Sequence, residues 1–563
     1  MDPQPPAQSE PSRPDHEPTA DISTPAPTSV GRRRRTAAVI VAAVVLALGA
    51  SGAAAVVFMA GSDAKLLDRI PATADVAFSV YLDPAAGQKV NLMRMLTAFP
   101  DVGDQQELRR RSAGLLDEAL ADSGLTHGDL DWVGSQVAGF VDLQGGPNEP
   151  RGAVLLAVDD EEGAKAAMAT FMQAAEDRGE RIAVEDHDGV QVFVSGDEGS
   201  GAAALIDGVM VFASGESVID TVIGTVEDDS LAASPTFTET IAELPEHHLA
   251  MAYVNVPGLI EAFEDYMAVT GVAGVDGGAL GQLYGEGIEG AAVTLSAEPD
   301  GFAVDAFASV DASQLTDEQR AALGSDHVNA LIDLVSADSL GFAAQTGIDV
   351  QIKQGLEDLE AADPAITAEL ERLGVTGPWG LASIVGPDLA FEVTPGTSLP
   401  VGGAVMMTTT DASAMRALMD RWARELGGVL PGGGAWVEAE HAGVPFAHLD
   451  GPVELPIAYG IVDDVAVIAP SPDDLIQIIE LSQGGGDPIG EDPTYAEAAS
   501  RVPTDDSVFF VNVADIVTLL SEQMGAQAAT ELTAIEPITI VMMGSSSDLE
   551  GTRTRVFIEI PRA

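Results

Sequence analysis

Two histidines stand in matched surroundings. His187 follows Asp186 and comes two residues before Gly189, in "DHDGV"; His441 follows Glu440 and comes two before Gly443, in "EHAGV". A carboxylate beside an imidazole can work as an acid–base pair or help to hold a metal ion. Each pair falls on a hairpin-like turn with one histidine per copy, whereas a zinc or catalytic centre needs more converging ligands. The expectation is a turn, with His187 and His441 kept as candidates. A second polar group is "LDPAAGQK", where Asp83, Gln88 and Lys89 could form an interaction site. The simpler reading is a strand-to-helix turn: Asp83 caps the helix, Pro84 suits its first turn, and Gln88 and Lys89 lie inside it. The acidic runs "DDEEG" (159–163) and "EDD" (227–229) lack a DxDxDG calcium loop and suit helix starts. "HH" at 247–248 reads as exposed turn chemistry. The glycine-rich stretches 271–287, 427–434 and 484–493 lack the Lys-Ser/Thr of a phosphate loop, and neither G-x-S-x-G nor H-E-x-x-H occurs. With no cysteine, thiolate metal sites, disulfides and cysteine nucleophiles are excluded. No catalytic, metal or cofactor residue is assigned, no cofactor is expected, and the chain reads as a non-enzyme.

The elements that carry these residues are written twice. "RGAVLLAVDDEEGAKAAMATF" (151–171) matches "GGAVMMTTTDASAMRALMDRW" (402–422), and "SPTFTETIAELPEHHLAMAYVNV" (234–256) matches "DPTYAEAASRVPTDDSVFFVNV" (492–513). Segment order is the same in both copies, and the offset drifts only between about 250 and 258, as loop insertions would produce. In each copy a strand leads to helices (88–98 and 104–122 in the first). Strands near 132–142 and 152–158 follow, then a helix over 160–178 with apolar residues at helical spacing. Three short strands come next (181–185, 190–195, 203–213), then helices at 216–226 and 236–243, the strand 249–256, a helix over 257–269 and a closing hairpin. The second copy of the 216 helix begins "SPDD", with Ser471 as its cap and Pro472 at its first position. The fold class expected is α+β: two tandem duplicated lobes, each an antiparallel or mixed sheet with helices on one face. The lobes are bounded at 62–320 and 321–563 and pack about a pseudo-two-fold axis.

The N-terminus sets the location. Residues 1–35 are rich in Pro, Ser and Thr and read as a disordered tail. Arg32, Arg33, Arg34 and Arg35 precede residues 36–61, which carry no charge and are long enough to span a bilayer. Arginines before the span and Asp63 after it orient the tail to the cytoplasm and the remainder outside. A cleaved signal peptide is the alternative. The chain carries 89 acidic and 26 basic residues, a net charge of -63. That balance argues against nucleic acid, whose phosphates need Lys and Arg, and against an exodomain lying on an anionic membrane.

The stretch "VAFSVYLDPAAGQKVNLMRMLTAFP" (76–100) resembles a family of uncharacterised, membrane-anchored actinobacterial proteins, domain of unknown function 3352. The resemblance rests on Pro71, Leu82, Asp83, Pro84, Gly87, Gln88, Lys89, Phe99 and Pro100, and implies a single N-terminal span but no activity. The functional expectation is a membrane-anchored extracytoplasmic protein, single-pass, with a non-enzymatic binding or scaffolding exodomain of the cell envelope. Its partners would be the bilayer, through the transmembrane helix, and an extracytoplasmic protein, glycan or lipid. The alternative is a cell-envelope hydrolase with a site between the lobes. The second copy has "GIDVQIKQG" where the first has "YLDPAAGQK", so binding is expected on lobe one, near that motif and 271–287, with lobe two as scaffold.

Overall fold

The structure is a computed structural model that describes residues 66–562, except 100–124 (apart from Gly114 and Asp117), 144–149, 180, 197–200, 271–286, 316–326 (apart from Arg320), 363–365, 378, 397–400, 428–434, 451–456 and 525–531. The tail, Arg32–Arg35, the apolar segment 36–61, loop 271–286 and nearly all of the helix expected at 104–122 lie outside the described residues. Among the described residues no helix is long and apolar enough to cross a membrane.

The first half supplies β1 (Val76–Tyr81), α1 (Ala86–Leu96), β2 (Val133–Asp142), β3 (Arg151–Val158), α2 (Glu161–Asp177), β4 (Ile182–His187), β5 (Val190–Ser195), β6 (Gly201–Ile206) and β7 (Val209–Ala213). It continues with α3 (Glu216–Gly224), α4 (Pro235–Ala242), β8 (Ala250–Asn255), α5 (Val256–Thr270), β9 (Ile288–Glu298) and β10 (Gly301–Val310). The second half supplies β11 (Gly341–Gln345), α6 (Ile348–Ala362), β12 (Val385–Pro395), β13 (Val401–Thr409), α7 (Ala412–Gly427), β14 (Ala435–His441), β15 (Val444–Asp450), β16 (Ala458–Val462) and β17 (Val465–Ala469). It closes with α8 (Pro472–Ser482), α9 (Pro493–Ala499), β18 (Ser507–Asn512), α10 (Val513–Met524), β19 (Ile540–Ser547) and β20 (Gly551–Glu559). Two further short helices, Thr367–Leu373 and Leu381–Ile384, lie between α6 and β12.

All pairings among these strands are antiparallel. In the first half the spatial order is β10–β9–β8–β1–β2–β3–β7–β6–β5–β4. The second half repeats it as β20–β19–β18–β11–β12–β13–β17–β16–β15–β14. Even the irregularity is repeated: register shifts between Val133 and Val137 in β2 and between Val385 and Leu389 in β12. The pairing of β10 with β20, from Gly301↔Glu559 to Ser309↔Gly551, joins the halves into one 20-stranded sheet.

The stretch 203–213, expected as a single strand, is a hairpin of β6 and β7. Asp207 and Gly208 between them both take left-handed φ, 47° and 77°, the conformation of a tight two-residue strand reversal. The expectation of helices on one face is also corrected. In β3, Ala153, Leu155 and Ala157 pack beneath Val218, Ile219 and Val222 of α3, whereas Leu156 and Val158 face the group that includes Ala164, Ala167 and Met168 of α2. A strand reading "GAVLLAV" is apolar on both sides and needs cover on both. The second half does the same: α8 lies on one face (Leu475, Ile478, Ile479) and α7 on the other (Met415, Leu418, Met419). Helix starts follow the expected chemistry: the Ser471 hydroxyl accepts from the Asp474 N–H, with Pro472 at the first position. Ser234–Pro235 and Asp492–Pro493 do the same for α4 and α9.

Charge is concentrated where the halves meet. Arg555 pairs with Asp305 (Nη1–Oδ1 3.2 Å) and with Glu298, Arg501 with Asp300 and Glu298, and Arg553 with Glu243 (2.6 Å) and Asp548 (2.8 Å). The arginines also lie over rings of the neighbouring strands, Arg553 5.0 Å from Phe307 and Arg501 5.1 Å from Phe557. Burial pushes the Asp305 carboxyl above its ordinary range, and Arg555 offsets this only in part. A second buried acid, Glu392 at 2 % exposure, accepts from the Ser336 N–H at 2.9 Å near Asp474. Its burial, with Asp474 adding repulsion, pushes its pKa up to about 7. The matching positions of the first half are the apolar Phe140 and Val218.

Candidate functional site

The "LDPAAGQK" residues hold the fold together locally. Helix α1 begins at Ala86 after Ala85, without a side-chain cap, so Asp83 is not the cap expected; it pairs with Lys89 instead. The Gln88 amide donates to the His247 carbonyl (3.0 Å) and accepts from the Ala297 N–H (2.6 Å), tying α1 to β9 and to the turn before β8. Of the two adjacent histidines, His248 is not the exposed turn residue expected. It is half-buried, edge-on to Tyr81 with ring centroids 5.4 Å apart, and burial lowers its pKa.

The structure does not bring His187 and His441 together; they end β4 and β14, the outermost strands of the two halves. His441 has one acidic neighbour, Glu480 (Nε2–Oε1 3.2 Å). His187 has three: Asp220 at 2.6 Å from Nδ1, with Glu216 at 3.2 Å and Glu185 at 3.8 Å from Nε2. The hydrogen bond to Asp220 holds the His187 imidazole above its ordinary pKa.

A different departure from an ordinary surface lies elsewhere. A row of directly paired residues crosses the second half: Ile468, Val405, Phe391, Ala343, Phe509, Met543 and Val556, on β17, β13, β12, β11, β18, β19 and β20. Phe391 is 50 % exposed, Ile468 42 %, Val405 39 % and Phe509 38 %. At about 4.8 Å per strand the row is about 29 Å long. Between it and the start of α6 lies a groove of about 520 Å³, walled by Val350, Phe391, Phe509 and Met543 and edged by Gln345, Gln351, Asp506, Ser507, Ser545 and Ser547. Single exposed apolar residues are ordinary; a continuous apolar row marks a place of contact.

The first half has the same row in the same register: Phe212, Val154, Gly139, Phe78, Ala252 and Val293. There the centre is closed: Phe78 and Val154 are 6 % and 7 % exposed, packed with Val80 and Ala250, and of the large residues in the row Val293, at its β9 end, is open at 40 %. A Cβ on Gly139 would come 2.6 Å from the Phe78 ring, so the ring lies across the glycine. In the second half Phe391 replaces that glycine and Ala343 replaces that phenylalanine, and the row stays open. The open face is therefore on the half expected to serve as scaffold. It escaped the sequence reading because "VGGAVMM" and "VFFVNV" are apolar on both faces, which reads as burial on both, and "DLAFEV" sets Asp388 and Glu392 on the face opposite Phe391, which reads as Phe391 turned inward. The cue available was the exchange of Gly139 for Phe391 between matched strands.

Residues 39–427 match the protein family described as "Protein of unknown function (DUF3352)". No curated protein matches the chain. Among solved structures, crystal form III of TP0453 aligns at 10% identity over 47% of this chain and 89% of that one, with a TM-score of 0.24. Crystal form I of TP0453 aligns at 9% identity over 46% and 84%, also with a TM-score of 0.24. Both resemblances are too slight to bear on fold or function.

Proposed function

Because the chain belongs to the DUF3352 family of proteins of unknown function, its role must be read from its own surface, and we propose that it is a non-enzymatic binding protein. Its ligand is one with a long hydrocarbon part, such as a lipid, laid along the open row of the second half. The observation that carries this reading is the half-exposed line of Ile468, Val405, Phe391 and Phe509 with the groove beside α6. The row is a single file of directly paired residues across seven strands, which suits a linear chain. Its strands already use their backbone groups in the ladders on either side, so no free edge is offered to a protein strand. The polar rim at one end of the groove can hydrogen-bond a headgroup, while apolar side chains supply most of the contact, as in ordinary small-ligand sites.

The setting we propose is the cell envelope. Residues 1–35 form the cytoplasmic tail, 36–61 a single-pass anchor and 62–563 the exported part, made of two lobes (62–320 and 321–563) that descend from one duplicated unit. The shared strand order and register support duplication. A hydrolytic site between the lobes is not favoured: at their junction the structure has the paired backbones of β10 and β20, with the acids there held in ion pairs by arginines.

The test is binding of a fluorescent fatty acid to residues 62–563 after extraction of endogenous lipid. Saturable binding is expected, weakened at least tenfold by Phe391→Glu or Phe509→Glu. Absence of binding, or binding indifferent to both substitutions, would remove the proposal.

A further inference from the structure

The β4–β5 hairpin and helix α3 converge on a second kind of site. Glu185 and His187, two apart on β4, point to the same side of the strand. Glu216 and Asp220, four apart at the start of α3, face the same way from the helix. One ligand atom from each of Glu185, His187 and Glu216 lies within 4.8 Å of the other two. The geometry points to a divalent-cation site made by the His187 imidazole and the Glu185 and Glu216 carboxylates, with Asp220 holding the imidazole in place.

The spacing suits an ion. Ligand atoms about 2.1 Å from a common tetrahedral centre are about 3.4 Å apart. The separations of Nε2 from Glu216 and Glu185, 3.2 and 3.8 Å, bracket that value. The Asp220 carboxylate, 2.6 Å from Nδ1, accepts the hydrogen bond of that N–H, so an ion that displaces the Nε2 proton meets the Nε2 lone pair beside the two glutamates. This carboxylate–histidine–metal relay fixes the tautomer in metal centres. One nitrogen and two oxygens select a zinc- or manganese-like ion over calcium, which takes oxygen ligands alone.

The second half provides an internal control. Its β14–β15 hairpin has the same turn and keeps the histidine as His441, yet the positions of Glu185, Glu216 and Asp220 are held by Ala439, Pro472 and Ile476. The hairpin and its helix therefore form without the three acids. Crowding three carboxylates around one imidazole leaves negative charge in excess there even when His187 carries its second proton, in a chain whose net charge is already -63. A bound divalent cation offsets more of that excess than a single proton on His187 does.

The experiment is titration of the solubilised full-length chain, stripped with a chelator, with Mn²⁺ and with Zn²⁺ in separate calorimetric runs. Uptake of one ion is expected. His187→Ala and Glu216→Gln should each weaken it at least tenfold, and His441→Ala should leave it unchanged. Thermal melting of each variant checks the fold. Should His187→Ala fail to fold, Glu216→Gln decides, because Glu216 is on the surface. Failure of the parent to take up either ion overturns the site, as does equal uptake by parent and Glu216→Gln, which would mark diffuse attraction to an acidic surface.

Discussion

The two halves share strand order, register and even a matching bulge, yet one closes its central row and the other leaves it open. In the first, the Phe78 ring fills the space over Gly139. In the second, the large residue has moved one strand across, to Phe391, and the small one is Ala343. The backbone pairing is indifferent to this exchange, because hydrogen bonds in a ladder are made by main-chain atoms and side chains decide only what covers the face. The contrast at His187 and His441 has the same form: the hairpins match, and the chemistry differs by four neighbouring positions, Glu185, Glu216, Asp220 and Gly224 against Ala439, Pro472, Ile476 and Glu480. Among these described elements, then, the framework is shared and each half carries its distinctive surface as a small number of side-chain exchanges.

Importing the second half's large residue into the first should have the largest effect. Gly139→Phe would set a side chain against the Phe78 ring and the Ala153 carbonyl, 2.6 and 2.8 Å from the new Cβ. A loss of about 3 kcal/mol is expected from such overpacking, read as a lowered denaturant midpoint. An unchanged midpoint would mean that the closed row is loosely packed and the comparison has no energetic content.

Next is the buried acid that the first half replaces with Phe140. Glu392 has its folded pKa pushed up to about 7 from 4.5. The folded state then holds this proton more tightly than the unfolded chain, so stability falls as pH rises from about 4.5 to about 7. Over that window the change is about 3 kcal/mol. Glu392→Gln keeps an acceptor for the Ser336 N–H and removes the charge. It should be more stable than the parent above pH 7 and level with it below pH 4.5, as measured by melting across the range. Parallel pH profiles of parent and variant would refute the assignment.

The smallest effect concerns a turn. Ala442 takes φ of 48° where the first half has Asp188 at 51°, and alanine tolerates the left-handed region poorly. Ala442→Gly should stabilise by about 1 kcal/mol, whereas Asp188→Gly should gain less. A loss of stability on Ala442→Gly would show that the turn is not strained.

Much of this organisation was legible in the sequence. Strand positions followed from short apolar runs between turn residues, and Ser471–Pro472 marked a helix start with a physical reason for each residue. The missed hairpin at 203–213 was also signalled, since "IDGV" contains the Asp-Gly pair that tight reversals need. What could not be read was cover. The Val154 face of "GAVLLAV" and the Phe391 face of "DLAFEV" are equally apolar, and only tertiary packing decides that Val154 is enclosed while Phe391 is not. The acids around His187 were hidden for a related reason: Glu216 and Asp220 are about 30 residues away in sequence and meet the histidine only because α3 lies against its hairpin.

The charged pair at the junction bears on how a protein of this form could exist at all. Asp305 and Arg555 are direct partners across β10 and β20, and they occupy the same position in the two halves: each is paired on its other side with the residue, Thr294 or Gly544, opposite Met251 or Val508. In an assembly of two identical chains such a position would confront its own copy, Asp against Asp or Arg against Arg, half-buried and repelling. Only a partnership of two different sequences can put opposite charges there. Here both sequences belong to one polypeptide, and neither half could replace the other at that seam without leaving like charges in contact.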